Sequence, residues 1–384
     1  MHKLVLLGFG TVGQGVWRIL EETPALKERF EIVRILVRDK EKNRATDVPD
    51  ALLTEDAATA FREPADLIVE VTGEVDGIRD QMAEALRDGK HVVTANKALV
   101  SSALEELEDA AAAGRTSLLY EAAVAGAVPV VKGVFDAARV RPVDEVQGIL
   151  NGTCNFILSR MEQGESYLAA LKKAQEAGFA EADPSADVEG FDTQRKLRIL
   201  ATLGFHATVK EEQIPCRGIA ELKAEDLELL QRHGRKVKLM GLATKKDRRV
   251  TARVLPVCLP SDDPFSAIEG SDNRVRIVSD YPHELSWAGP GAGMYPTAHA
   301  VWNDILDVFS GRVTEAAKRE DVVDGSETAM DRYYLRAENM TEEDFSDIPA
   351  ETLDDAWIVG PVTRKAFEAV VKETENAAWA LWME

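Results

Sequence analysis

The sequence contains little cysteine, with only Cys154, Cys216 and Cys258 among its 384 residues. So few thiols at such wide spacing exclude a disulfide framework and a cysteine-based zinc cluster, and they fit a reducing compartment best. The six histidines are also scattered and lack the spacing of metal ligands, so we do not expect a catalytic zinc ion.

Positive charge is scarce as well, since 46 Lys and Arg residues face 67 Asp and Glu residues and leave a net charge of −21. This balance argues against nucleic acid or an anionic membrane as the main partner. The first apolar run, residues 4–7, is too short for a membrane helix and is not followed by the cleavage site of a secretion signal. We therefore expect a cytoplasmic protein whose partner is a small molecule.

Short apolar runs alternate with helical stretches through the first 120 residues, which predicts a parallel sheet covered on both faces. The runs lie at residues 4–7, 32–37, 67–71, 91–94 and 117–119. Beyond about Val140 the strand candidates are separated by longer helical stretches, which indicates an α+β domain. Lys and Arg are concentrated at residues 234–249, which we interpret as a solvated strand and turn. The predicted fold class is α/β, with a Rossmann-type sheet followed by an α+β domain.

A glycine-rich segment links the first predicted strand to the first predicted helix. It reads Gly8-Phe9-Gly10-Thr11-Val12-Gly13. In a dinucleotide-binding turn the first glycine permits the sharp bend, the second lets the backbone approach the pyrophosphate, and the third allows close packing of helix and strand. A simple tight turn is the alternative, but the strand–helix alternation behind it favours dinucleotide binding.

The end of the second predicted strand bears on the choice of cofactor. An acid alone there, such as Asp39, would favour the ribose 2′-hydroxyl of NAD. Arg38 and Lys40 flank that acid and can pair with a 2′-phosphate, so we favour NADP over NAD. The alternative for Arg38 is a surface salt bridge with Asp39 or Glu41.

The predicted helix that begins near Phe191 carries a candidate acid/base group. At about 100° per residue, Asp192 and Lys196 share a face with apolar side chains, where a purely solvated lysine would not be expected. The alternative is an ordinary surface pair of residues i and i+4. A lysine in a partly desolvated cleft is a plausible general acid/base, and we favour that reading.

Six further segments turn this general pattern into a specific resemblance. They read VTG at 71–73, TANK at 94–97, YEAAVAG at 120–126, NGTCN at 151–155, GFAEADPSADVEGFDTQRK at 178–196 and GPGAGMYPTA at 289–298. In this order they closely resemble the homoserine dehydrogenase family, from residue 1 to about 311. The resemblance implies NAD(P)-dependent interconversion of L-homoserine and L-aspartate 4-semialdehyde, on the route to threonine, methionine and isoleucine, by a homodimer or higher homo-oligomer.

The resemblance also implies roles for individual residues. It makes Lys196 the acid/base, with Asp192 orienting it and Lys97 reaching the reacting oxygen. The remaining implied cofactor contacts are Thr72, Thr94, Lys97 and Gly291. The implied substrate contacts are Glu181, Asp187, Asp192 and Thr153. A monovalent cation, sodium or potassium, is implied at Glu121 and the carbonyl groups of Val124, Gly126 and Val128.

The predicted domains are an NAD(P)-binding Rossmann domain at 1–135, a catalytic domain for substrate binding and dimerisation at 136–315, and a tail at 330–384. The tail resembles a shortened, degenerate ACT module, since an acidic stretch replaces the expected turn and first helix. At Ala127 the family commonly has glycine. Two other functions remain open from the residues alone: another NAD(P)-dependent amino-acid dehydrogenase, and a non-catalytic NADP-sensing protein.

Overall fold

The apolar runs of the first 120 residues form a six-stranded sheet in which every pairing is parallel. Its strands are β1 (His2–Leu7), β2 (Phe30–Leu36), β3 (Leu53–Thr54), β4 (Leu67–Glu70), β5 (His91–Thr94) and β6 (Leu118–Leu119). They lie in the order β3-β2-β1-β4-β5-β6. This order reverses direction between β1 and β4, and such a switch point is where parallel sheets bind ligands.

The computed structural model describes residues 1–281, 283–311, 318–326, 328–345, 348–372, 374 and 376–384. The helices in these residues are α1 (Thr11–Glu22), α2 (Pro24–Lys27), α3 (Ala57–Arg62), α4 (Arg79–Arg87), α5 (Lys97–Gly114), α6 (Val130–Ala138), α7 (Gly152–Met161), α8 (Tyr167–Glu176), α9 (Ser185–Val188), α10 (Phe191–Phe205), α11 (Ala224–Arg232), α12 (Met294–Phe309) and α13 (Arg364–Lys372). None of these helices has the length and apolarity that a membrane span requires.

The chain divides into two compact units. Unit 1 contains Met1–Gly133 and Pro290–Lys318, and unit 2 contains Val134–Gly289 and Arg319–Glu384. The predicted boundaries differ, since they assigned residues up to 315 to the second domain. The difference has a packing cause, because α12 lies against α1 in unit 1. A Cβ atom on Gly15 would lie 2.9 Å from Ala298, and the buried indole of Trp302 donates a hydrogen bond of 2.9 Å to the carbonyl of Val16.

Unit 2 is built on a ten-stranded mixed sheet. Its strands are β7 (Glu145–Ile149), β8 (Arg235–Lys246), β9 (Arg249–Pro260), β10 (Asp272–Ser279), β11 (His283–Pro290), β12 (Val323–Asp324), β13 (Met330–Arg336), β14 (Ala350–Leu353), β15 (Ala356–Thr363) and β16 (Ala378–Trp382). The order is β11-β10-β7-β8-β9-β16-β13-β15-β14, with β12 beside β9. The fold is therefore α/β, with the predicted parallel sheet in unit 1 and a mixed sheet in unit 2.

Strand β8 corrects one interpretation of the sequence. The basic region at 234–249 does form a strand and turn, but its central part is buried between β7 and β9 rather than solvated. Lys238 is fully buried, and its ammonium group lies 3.6 Å from the Glu162 carboxylate. The count of basic residues could not reveal this burial, because it depends on strands distant in sequence.

The tail continues the sheet of unit 2. Strand β16 pairs in parallel with β9 and antiparallel with β13. The buried carboxylate of Asp226, on α11, accepts hydrogen bonds from the Tyr334 hydroxyl at 2.7 Å and from the Arg336 guanidinium. Backbone pairing and a buried ion pair therefore both join the tail to unit 2.

Candidate active site

The glycine turn in unit 1 shows why two of its positions need glycine. Gly8 has a φ of +100°, and a Cβ atom there would lie 2.9 Å from the carbonyl oxygen of Val71. A Cβ atom on Gly13 would lie 2.2 Å from the carbonyl oxygen of Gly8. Both contacts are with backbone that cannot yield, so the close packing of turn, strand and helix requires these glycines.

Gly10 has a different environment. A Cβ atom there would meet no described atom within 4 Å, so packing within the protein does not require glycine. Gly10 is the residue before α1, and no side chain caps the first N–H groups of that helix. The exposed Thr11 is the first residue of the helix. Open space beside a helix N-terminus fits a pyrophosphate, which needs close approach to backbone donors. The residues therefore fit a dinucleotide cofactor.

A buried carboxylate lies at the carboxyl ends of β4 and β5. Glu70 is fully buried and accepts hydrogen bonds from the backbone N–H and the hydroxyl of Thr72, both at 2.7 Å. It also accepts from the Thr94 hydroxyl at 2.6 Å and from the Asn96 amide at 3.5 Å. We call Glu70, Thr72, Thr94 and Asn96 the Glu70 cluster. It fixes Thr72 and Thr94, two predicted cofactor contacts, at the ligand-binding edge of the sheet.

Lys97 follows this cluster directly. Asn96 caps α5 by accepting a hydrogen bond of 3.1 Å from the N–H of Leu99, and Lys97 is the first residue of that helix. The lysine is half-buried at the carboxyl end of β5. Lys97 therefore lies just beyond β5, the strand formed by the fourth apolar run.

The predicted cofactor-selecting cations lie beyond the end of β2. Arg38 donates from Nε and Nη2 to one oxygen of Glu74, at 2.9 and 2.7 Å, and Lys40 is exposed. The salt-bridge partner of Arg38 is therefore Glu74 rather than Asp39 or Glu41. Asp39 instead accepts a hydrogen bond of 2.8 Å from the N–H of Glu41 within its own loop.

In unit 2 a single amide links two predicted site carboxylates. The Asn151 side chain donates to Asp187 at 2.7 Å and to Asp192 at 2.9 Å. Lys196 donates to the same Asp192 oxygen at 2.7 Å and to the carbonyl of Leu150 at 2.8 Å. We call Asn151, Asp187, Asp192 and Lys196 the Asp192 cluster.

Burial separates this lysine–carboxylate pair from an ordinary surface pair. The side chain of Asp192 is 2% exposed and that of Lys196 is 11% exposed, whereas the i,i+4 pair of Lys172 and Glu176 is 77% and 66% exposed. A buried ion pair persists only when further hydrogen bonds satisfy it, and Asn151 and the Leu150 carbonyl supply them. The pair therefore holds a proton-bearing group in a water-poor place.

Asn151 also caps the N-terminus of α7. Its side-chain oxygen accepts from the N–H of Cys154 at 2.8 Å, and the Cys154 thiol lies 3.1 Å from the carbonyl oxygen of Asp187. Burial raises the pKa of the Cys154 thiol well above its usual range, and the neighbouring carboxylates raise it further. The thiol stays protonated and is fully buried, which fits a packed residue rather than a nucleophile.

The other two predicted substrate contacts are Thr153 and Glu181. The Thr153 hydroxyl donates to the carbonyl of Phe179 at 2.7 Å. Glu181 is exposed on the loop after α8, and its carbonyl accepts from Gln175 at 3.1 Å. Asn151 brings Asp187 and Asp192 together but does not gather Glu181.

The residues predicted for a monovalent cation lie around the start of α6. The two Glu121 carboxylate oxygens accept from the N–H groups of Val131 and Lys132, at 2.9 and 2.8 Å. Burial raises the pKa of Glu121 to about 7, although these backbone hydrogen bonds lower it. Burial likewise raises the pKa of the neighbouring Asp304, which accepts from the Glu121 N–H at 2.8 Å. Glu121 is thus a helix cap carrying a poorly solvated charge.

The rest of the predicted cation loop approaches the Gly291 backbone. Gly126 has a φ of +55°, and a Cβ atom there would lie 2.7 Å from the carbonyl of Gly291. The carbonyl of Val128 accepts from the N–H of Val130 at 2.7 Å, and Val124 is buried. Ala127 does not have a positive φ, so the replacement of the family's common glycine leaves the backbone unstrained.

Three residues of these clusters, Glu70, Asn96 and Asn151, were not predicted as site residues from the sequence. Glu70 carried a signal, since it is an acid that ends an otherwise apolar strand and is followed by threonine two positions later. Asn151 also carried one, because Asn before a helix is a common cap. Neither signal identifies the distant residues to which these side chains are hydrogen-bonded.

One unit has a Rossmann-ordered sheet with a glycine turn fitted for pyrophosphate, and the other has a buried lysine–carboxylate pair. Together these features define the class of an NAD(P)-dependent oxidoreductase. Comparison with known proteins narrows this class. The model for the homoserine dehydrogenase NAD binding domain matches residues 8–121, and the homoserine dehydrogenase model matches residues 129–306.

Individual relatives agree with these matches. Homoserine dehydrogenase of Bacillus subtilis is 38% identical over 314 residues, 80% of this chain and 72% of the relative. That of Corynebacterium glutamicum is 41% identical over 322 residues, 81% and 72% of the two chains. The solved structure from Thiobacillus denitrificans has a TM-score of 0.88 at 29% identity, covering 100% of this chain and 98% of that one. The chain belongs to the homoserine dehydrogenase family.

Proposed function

We propose that Lys196 is the acid/base group for the interconversion of L-homoserine and L-aspartate 4-semialdehyde in this NAD(P)-dependent enzyme. Oxidation of the alcohol releases a hydroxyl proton, and reduction of the aldehyde requires one. The observation that carries the proposal is the buried contact of Lys196 with Asp192 at 2.7 Å, supported by the Leu150 carbonyl at 2.8 Å. These two partners direct one ammonium group and leave it little freedom to turn away.

The surrounding residues bind the substrate, orient Lys196 and stabilise the developing charge. Asp187 is the acceptor for the substrate ammonium group, together with Glu181, and Asn151 holds its carboxylate in place. Asp192 orients Lys196, and Thr153 bounds the substrate site. Lys97 stabilises the charge that develops on the reacting oxygen, because a fixed cation there is worth more than a mobile one in water.

The nicotinamide cofactor, when bound, supplies the hydride acceptor for the alcohol or the hydride donor for the aldehyde. Gly8, Gly10, Thr11, Val12 and Gly13 would hold its pyrophosphate, and the Glu70 cluster and the Gly291 backbone would border its nicotinamide part. Arg38 and Lys40 favour NADP, since a 2′-phosphate offers them a charged ligand that NAD lacks.

Two finer proposals come from the family resemblance. One is a sodium or potassium ion at Glu121, Val124, Gly126 and Val128, which would offset the poorly solvated Glu121 carboxylate. The other is a homodimer or a higher homo-oligomer. Activity in matched sodium, potassium and choline chloride tests the first, and sedimentation equilibrium tests the second.

The test of the proposed function follows nicotinamide absorbance in both directions. Purified protein should oxidise NADPH only when aspartate 4-semialdehyde is added, and should reduce NADP when homoserine is added. Lys196→Ala should lose this turnover, and Lys172→Ala is the matched control because it removes a lysine from an exposed i,i+4 pair of the same unit. Equal turnover of the Lys196 variant and the control would refute the assigned role.

A further inference from the structure

The ion pair between Arg38 and Glu74 bridges the two strands that flank the glycine turn. Arg38 lies two residues beyond β2, Glu74 lies four residues beyond β4, and both strands pair with β1. The turn itself is held between them, because Gly8 donates to the carbonyl of Leu36 at 3.0 Å. The pair therefore spans the crevice in which such a sheet binds the adenosine ribose.

Glu74 is held in this place by its backbone. Its N–H donates to the Thr72 hydroxyl at 3.0 Å, and its carbonyl accepts from the Asn96 amide at 2.6 Å. Both partners belong to the Glu70 cluster, which is anchored by a fully buried carboxylate. The backbone that carries the Glu74 carboxylate toward Arg38 is therefore held in place by hydrogen bonds.

The acid expected at the end of the second strand makes a hydrogen bond within its own loop. In dinucleotide-binding folds an acid at the end of the second strand accepts the ribose 2′-hydroxyl of NAD. Here that acid is Asp39, and one of its oxygens accepts from the N–H of Glu41. Glu74 places another carboxylate beside the same cation, which gives it the chemistry to accept a 2′-hydroxyl and to repel a 2′-phosphate.

We infer that Glu74 is a specificity-determining residue that opposes the NADP preference set by Arg38 and keeps NAD usable. This inference rests on the proposed function, since it concerns the cofactor of the same site. Two of the five N–H donors of Arg38 are directed at Glu74, so a phosphate must share the guanidinium with a carboxylate or displace it. Displacement is cheap, because the side chains of Arg38 and Glu74 are 81% and 46% exposed.

The test is direct binding of NADP and NAD to the full chain by isothermal titration calorimetry, without substrate. Glu74→Gln keeps the shape and the backbone contacts but removes the charge. The preference for NADP, taken as Kd(NAD)/Kd(NADP), should rise by about five- to tenfold, the size of a like-charge contact near the surface with a phosphate. The rise should shrink in high salt, because the repulsion is exposed to solvent.

Glu21→Gln is the matched control. Glu21 pairs with Lys27 at 2.8 Å with comparable exposure, and it lies near the C-terminal end of α1, away from the turn. Its preference should equal that of the wild type, and thermal unfolding should show that both variants fold. A Glu74→Gln preference within twofold of the wild type, or an equal rise in Glu21→Gln, would overturn the inference. Failure of the wild type to bind either cofactor would instead refute the proposed function.

Discussion

The two clusters solve the burial of a carboxylate in opposite ways. In unit 1, Glu70 is held by hydroxyl, amide and backbone donors, all of them neutral. In unit 2, Asp192 shares one oxygen between a neutral amide and the charged Lys196. Neutral donors fix a carboxylate and its neighbours without offering a proton, whereas an ammonium group can exchange one. The comparison supports the proposal that the Asp192 cluster transfers the proton and that the Glu70 cluster positions its neighbours.

The largest expected effect is on kcat, from a substitution in the Asp192 cluster. Lys196→Ala should lower kcat by about 10²- to 10⁴-fold, as the loss of a positioned acid/base does. Steady-state assays in both directions measure it, with Lys172→Ala as the control. A loss of only a few-fold would make Lys196 a structural partner of Asp192 and would remove the distinction between the clusters.

A smaller effect is expected at Arg38, the cation proposed to favour NADP. Arg38→Ala should raise the KM for NADP by about 10- to 100-fold, because a charge-assisted contact with phosphate is lost. The KM for NAD is the internal control and should change by no more than a few-fold. Parallel increases for both cofactors would place Arg38 outside the recognition of the 2′-phosphate.

In the Glu70 cluster the expected effect of a substitution is on the stability of the fold. Glu70→Gln replaces one acceptor oxygen with a donor that faces other donors, so the free energy of unfolding should fall by about 1–3 kcal/mol. Urea denaturation measures this, and the exposed Glu21→Gln should stay within about 0.5 kcal/mol of the wild type. An unchanged free energy of unfolding for Glu70→Gln would mean that the cluster does not need its buried charge.

The smallest effect is expected from threonine. The tail has a short 3₁₀ turn at Glu342–Phe345 that carries three acids. In the predicted resemblance to an ACT module, this stretch replaces the first helix. These acids would repel the carboxylate of an amino-acid ligand, so threonine should inhibit weakly or not at all at millimolar concentration. Titration of threonine into the steady-state assay measures this. Half-inhibition below about 1 mM, a common scale for small metabolites, would make the tail a working sensor.

Local patterns in the sequence predicted much of this architecture. Alternating apolar runs predicted the parallel sheet, and helical spacing placed Asp192 and Lys196 on one face, where they form a buried pair. Contacts between distant segments were not predictable in this way. Asn151 lies 36 and 41 residues from the two carboxylates that it joins, and no local pattern encodes such a partner. The burial of Lys238 in the centre of a sheet was not predictable either, because it also depends on segments distant in sequence.

The most direct test of the division between the clusters measures NADPH binding and turnover on the same preparations of Lys196→Ala and Glu70→Gln. Lys196→Ala should bind NADPH with nearly the wild-type Kd but turn over at least about 100-fold more slowly. Glu70→Gln should bind NADPH more weakly, because Thr72 and Thr94 lose their anchor, while its kcat at saturating NADPH should fall far less. A Lys196→Ala protein with weakened NADPH binding and near-normal kcat would contradict this division of roles.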